Sequence, residues 1–184
     1  MSKALAVLAT ASQLTLLKAV TALVAVTAFL YPPELLAQIR VPAPTEYAKQ
    51  SICIAELSQP LTVELADNWQ QRARGLMQRE SLADNAGMWF RYNEKRPGNS
   101  GFWMYQTLLP LDIAFFDQQQ RIVSIITMPP CASEDPGQCP SYAPGHDYYS
   151  ALEMNAGFFS AHGITVGDKL YTESHGDCEL PNKN

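Results

Sequence analysis

Several things are scarce in this 184-residue chain. Histidine occurs only three times, as His146, His162 and His175, and no Gly-x-Ser-x-Gly stands anywhere. A serine nucleophile activated by a neighbouring imidazole therefore finds little support. Basic residues number 13 against 18 acidic ones, for a formal charge of -5. A nucleic-acid-binding domain usually carries the opposite sign, so that class of partner is not expected. The uncharged, mostly apolar run Ala19 to Tyr31 falls short of the roughly 20 residues that span a bilayer. No internal repeat is present, which excludes solenoids and propellers.

What is present is an apolar fraction of 47%, enough for one real core, together with 13 prolines and 10 glycines that punctuate the chain with turns. The first 37 residues read as a targeting segment. Lys3 and Lys18 precede the apolar run, Pro32 and Pro33 break it, and Leu35-Leu36-Ala37 places a small residue before a cut at Gln38. That order is the pattern of a secretory signal peptide. The alternative is a retained anchor within residues 4–31, and membrane contact is expected only in that case. The chain then divides into 1–37 (signal or anchor), 38–50 (a linker with Pro42 and Pro44) and a single domain over 51–184. The expected location is exported, periplasmic or extracellular.

Four cysteines, Cys53, Cys131, Cys139 and Cys178, suit an oxidising compartment. Three pairings are possible. Cys131 and Cys139 share one Pro/Gly-rich loop and should pair, which leaves Cys53 to join Cys178. A metal site is the rival reading, but the Cys131–Cys139 gap is not zinc-ligand spacing.

Short strands dominate the rest. Leu61, Val63 and Leu65 alternate with Thr62 and Glu64. Asp67 followed by Gln70 reads as a capping box for a short helix, with Trp69, Ala73, Leu76 and Met77 on one apolar side. Gly87 to Tyr92 and Gly101 to Tyr105 are strand-like. Leu111 to Phe116 and Arg121 to Met128 read as a hairpin whose two runs, apolar on both faces, lie in the centre of a sandwich or barrel. Pro129 to Asp147 is a long loop. Tyr148 to Met154 is a strand, Asn155 caps a second short helix ended by Gly163, and Lys169 to Thr172 is the last strand. The expected fold is mainly β, a sandwich or barrel with two short helices.

The motifs Arg74-Gly75-Leu76-Met77, Gly87-Met88-Trp89-Phe90 and Phe102-Trp103-Met104 with Thr107 follow one another in order. After them come Pro110-Leu111-Asp112-Ile113-Ala114-Phe115, Pro130-Cys131, Cys139-Pro140 with Tyr142, Leu152-Glu153 with Asn155, and Gly167-Asp168. Together they resemble the family called domain of unknown function 192, over about residues 61–171. The resemblance implies a jelly-roll-like β fold and brings no agreed activity. One departure is visible: Tyr105-Gln106 stands where that family typically has Lys-Asn.

Asp112 and Glu153 each interrupt an apolar strand. A buried carboxylate needs hydrogen bonds or a counter-charge. Both are therefore expected to satisfy loop amides near Thr107 to Pro110 and after Asn155, or an arginine near Arg74. The functional rival is a paired-carboxylate site for acid/base work or sugar binding. Five methionines, Met77, Met88, Met104, Met128 and Met154, fall in motif segments. Spread singly over several strands they read as core rather than as thioether copper ligands. Trp103, Thr107, Asp112, Tyr142, Glu153 and Asn155 form the candidate polar and aromatic cluster. The expected function is a non-catalytic binding or interaction module for a small ligand or protein partner, without a cofactor. The alternative is a carboxylate-based hydrolase using Asp112 and Glu153.

Overall fold

The computed structural model describes residues 45–54, 57–172 and Cys178. The segment expected to be a signal or anchor lies outside the described residues. Among them, no helix is long and apolar enough to cross a membrane.

Among the described residues, nine strands are formed: β1 (Lys49–Ile54), β2 (Leu61–Ala66), β3 (Ala86–Arg96), β4 (Phe102–Trp103), β5 (Leu111–Phe116), β6 (Ile122–Met128), β7 (Ser141–Tyr142), β8 (Tyr148–Asn155) and β9 (Leu170–Thr172). Among the described residues, two short α-helices join them, α1 (Trp69–Arg74) and α2 (Phe158–Ala161). Seven strands form one sheet in the order β6-β5-β8-β3-β2-β1-β9, and β4 pairs with β7 in a separate ribbon. All named pairings are antiparallel except β2 with β3, whose connection runs through α1.

The sheet curls into a half-barrel. Its two edge strands approach at one end, where Arg121 bridges Lys169. There Ile122 N–H donates to Asp168 O at 2.8 Å and Leu170 N–H donates to Gln120 O at 2.9 Å. Residues from all seven strands fill the inside of the curl, among them Ile54, Val63, Trp89, Phe116, Ile122, Leu152 and Leu170, with Phe158 and Phe159 of α2. The other side of the sheet packs Met88, Phe90, Ile113, Phe115, Met128 and Ala151 against Leu76 and Met104. Phe102 docks the β4–β7 ribbon on this side, edge-on to Phe90 at 5.0 Å and to Phe115 at 5.6 Å.

Three local expectations change. The capping box forms one residue later, on Asn68 and Gln71: Asn68 Oδ1 accepts from Gln71 N–H at 2.9 Å. Asp67 is engaged instead by Arg91, whose guanidinium donates to both carboxylate oxygens at 2.7 and 2.6 Å. The helix is only six residues long, and Trp69 at its first position is 74% exposed. Second, β5 and β6 do form the hairpin, but only β5 is central. All six β5 residues are buried between β6 and β8, whereas β6 is an edge strand and half-exposed along much of its length. Apolar composition on both faces was shared by the two runs; neighbours on both sides were not. Third, Gly157, not Asn155, stands at the start of α2. The Asn155 amide instead donates to Leu82 O at 3.0 Å, tying β8 to the loop before β3.

Both disulfides are formed, Cys53–Cys178 and Cys131–Cys139. The long loop between β6 and β8 is thus stapled just before β7.

Candidate functional site: a cleft over Glu153

Glu153 sits on β8 directly opposite Met88 of β3 and Ile113 of β5. Residues paired across strands share a face, so its carboxyl enters the side of the sheet covered by α1 and the β4–β7 ribbon. Those two covers do not close completely. Between them lies a cleft of about 40 Å³, lined by the Arg72–Met77 stretch, Phe90, Phe102, Trp103, Thr107 and Glu153. A space of that size holds a water or one polar group of a ligand, on the order of 30 Å³.

Each wall has a local cause. Gly75 ends α1 with φ of 51°, and a Cβ there would lie 3.4 Å from the Phe90 ring. Glycine lets the chain turn down onto the sheet at this point, which buries Leu76 and Met77. The opposite wall is the turn after β4, where Thr107 N–H donates to Met104 O at 3.0 Å. Gln78 N–H donates to Gln106 O at 2.7 Å and ties the two walls together. Gln106 adopts φ of 56°. Among residues with a side chain, asparagine tolerates that left-handed conformation best. The departure from the Lys-Asn pattern therefore falls on a position set by its backbone geometry.

Tyr47, just before β1, covers the end of α1. Its hydroxyl donates to Gly75 O at 3.2 Å, and burial raises its pKa. The Arg79–Glu64 ion pair lies next to it, and Arg74 donates to Gln78 Oε1 at 3.1 Å. Within this setting Glu153 is 5% exposed. Burial pushes its pKa up to about 8, so at neutral pH it is mostly a protonated carboxylic acid.

Trp103 stands at the lip. It is 39% exposed, and its ring lies 5.4 Å from that of Tyr105. Of the six residues grouped from the sequence, the structure brings Trp103, Thr107 and Glu153 to one cleft. Tyr142 pairs with Phe102 within the ribbon and packs against the core on this side of the sheet. Asn155 holds the loop before β3. Asp112 is opposite Met154 and on the other side of the sheet from Glu153. Its carboxylate accepts from Thr127 Oγ1 at 2.7 Å and from Gly157 N–H at 2.8 Å. The expectation of loop-amide partners after Asn155 is met for Asp112; the paired-carboxylate site is not formed.

The sequence reading did not assign the Arg74–Met77 stretch, Phe90 or Phe102 to the site. Their signal was the motif itself, Arg74-Gly75-Leu76-Met77, whose glycine marked a turn but not the surface it turned toward. The five motif methionines are buried: Met154 on the inside of the curl, Met88, Met104 and Met128 on the other side, and Met77 beside the cleft.

A curled, mainly β half-barrel with a carboxyl enclosed beneath a two-stranded ribbon defines the class. The chain belongs to the domain of unknown function 192 family, described as "Uncharacterized ACR", whose model matches residues 52–172. The match takes in β1 as well as the motif region. Among solved structures, the chain is similar to a transcription-regulator candidate from Sinorhizobium meliloti 1021, with 33% identity and a TM-score of 0.61. That likeness covers 71% of this chain and 98% of the other. It is also similar to a protein of unknown function from Novosphingobium aromaticivorans DSM 12444, with 27% identity and a TM-score of 0.54, covering 77% of this chain and 99% of that one. No curated protein matches the chain significantly.

Proposed function

We propose that this chain is an exported, non-catalytic binding module that takes a neutral carbohydrate at the Trp103–Glu153 cleft. The carrying observation is a nearly fully buried carboxyl lining a cleft whose lip presents an exposed indole. A protonated carboxyl both donates and accepts, as a sugar hydroxyl does. The indole offers a flat apolar surface for the carbon face of the sugar ring. Thr107 adds a second hydroxyl partner. The small cleft admits one hydroxyl, so the ring itself would lie on the lip against Trp103.

The register supports this reading over the hydrolase. Glycoside cleavage ordinarily uses two carboxyl groups flanking one bond. Asp112 faces the other side of the sheet and is spent on Thr127 and Gly157. The two disulfides support an oxidising compartment, and hence export. A regulator of transcription, as the Sinorhizobium relative is described, is less favoured by a chain of net charge -5.

The test is a titration of neutral mono- and oligosaccharides followed by tryptophan fluorescence. Binding that is lost in both Trp103→Ala and Glu153→Leu is the expected result. Saccharide binding indifferent to both substitutions, or none across the panel, would overturn the reading.

A further inference from the structure

A second cavity, of about 290 Å³, opens at another place in the fold. It lies where the turn from β1 to β2, the loop before β3 and the end of α2 meet. Leu61 and Phe158 form its apolar base; both are buried in the core inside the curl, and Leu57 packs against the same core. Ser58, Gln59, Asp84 and Asn85 rim it with polar groups, and His162 completes the lining.

The imidazole is held in one orientation. Its ring lies 4.4 Å from that of Phe158, tilted by 35°. Its Nδ1 is 2.9 Å from Phe158 O. A carbonyl oxygen only accepts, so Nδ1 carries the proton. In the neutral ring Nε2 is then an acceptor, the nitrogen left for a ligand. Among the described residues, the lining contains one carboxylate, Asp84, and neither lysine nor arginine. A negative charge and the imidazole acceptor thus stand over an apolar base, beside hydroxyl and amide groups that both donate and accept.

We propose that this cavity is a second ligand site, separate from the Glu153 cleft, for a small amine bearing one flat apolar ring. The ammonium would sit between Asp84 and His162, and the ring would lie over Leu61 and Phe158. The volume is at the small end of pockets that take organic ligands, roughly 300–1,000 Å³, which fits a single ring with a short arm. An anion of the same shape would meet Asp84 with no lysine or arginine among the described lining residues.

The experiment uses the full chain with its disulfides intact and benzylamine as the probe, with benzoate as its anionic counterpart. Backbone amide resonances are followed by NMR. Benzylamine should shift signals from Leu57 to Leu61, Asp84, Asn85 and His162, and benzoate should not. Asp84→Asn, an exposed position that leaves the core untouched, should weaken benzylamine about three- to fivefold, the upper range for a solvent-exposed ion pair. His162→Phe keeps the stacking ring and removes the acceptor, and it should weaken binding as well. Trp103→Ala should leave benzylamine binding unchanged, which separates this site from the carbohydrate cleft. No shifts at about 10 mM probe, corresponding to an affinity weaker than roughly -3 kcal/mol, would overturn the proposal. So would equal shifts with benzoate, or an Asp84→Asn variant that binds as the parent does.

Discussion

Asp112 and Glu153 lie on adjacent strands, both nearly fully buried, and face opposite sides of the sheet. Asp112 is paired with Met154 and Glu153 with Ile113. A one-residue difference in register reverses the face. One carboxyl therefore enters the region beside α2, and the other the cleft beneath the β4–β7 ribbon. Their energetic roles differ accordingly.

Asp112 links three elements. It sits on β5, accepts from Thr127 on β6, and accepts from the Gly157 amide that precedes α2. Asp112→Ala would remove the acceptor from two donors at partly buried sites, Thr127 Oγ1 and Gly157 N–H. The expected loss is about 1–3 kcal/mol for each donor that water does not reach. Asp112→Asn keeps the acceptor oxygen for Gly157 and should cost clearly less. Urea denaturation of the two variants checks the order. Equal stability of Asp112→Ala and the parent would contradict the assignment.

Glu153 should make stability depend on pH. Its pKa rises from 4.5 to about 8 on folding because burial disfavours the charge. Below the unfolded value both states hold the proton. Between the two values the unfolded chain releases it while the folded chain keeps it, so stability falls as pH rises, by at most about 1.4 kcal/mol per pH unit. Glu153→Gln cannot ionise. It should match the parent at acid pH and be the more stable protein at pH 8. Parallel pH profiles for the two proteins would refute this.

Gln106 holds a left-handed backbone conformation with φ of 56°. Gln106→Gly should relieve the steric cost, and Gln106→Asn should relieve part of it. A gain of roughly 0.5–1 kcal/mol is expected for the better of the two, since a side chain in this region costs about 1–2 kcal/mol and glycine returns some of that as unfolded-state entropy. Differential scanning calorimetry reads the shift in Tm. A fall in Tm for both would show that the glutamine side chain has a role of its own.

The two disulfides should contribute unequally. Cys53–Cys178 spans 125 residues and Cys131–Cys139 spans 8. On loop-closure entropy the long bridge stabilises by about 5 kcal/mol and the short one by about 2.5 kcal/mol. The short bridge lies just ahead of β7, which pairs with Trp103. The Cys131→Ser/Cys139→Ser double variant should therefore lose moderate stability and broaden the NMR signal of the Trp103 indole. The Cys53→Ser/Cys178→Ser variant should be the less stable of the two and leave that signal sharp. The reverse ranking in denaturation midpoints would contradict the expectation.

Much was legible in the sequence alone because local physics determines it. Alternation at Leu61, Val63 and Leu65 marked a half-buried strand, and the Asp117–Gln120 turn marked the β5–β6 hairpin. The proximity of Cys131 and Cys139 in one loop pointed to their pairing, and the motif order pointed to the family. These signals depend on neighbours within a few residues. The N-cap was displaced by one residue because Arg91, 24 positions away, holds Asp67. The edge position of β6 and the separation of Asp112 from Glu153 were equally beyond local reading. Which strands become neighbours, and in what register, is decided by hydrogen bonding and apolar packing between distant segments. That same choice left a gap between the Arg74–Met77 turn and the β4–β7 ribbon. The sequence determined that a glutamate would be buried in β8; only the tertiary structure decided that it lies in a cleft with Trp103, because a carboxyl's surroundings are set by whatever the fold packs above it.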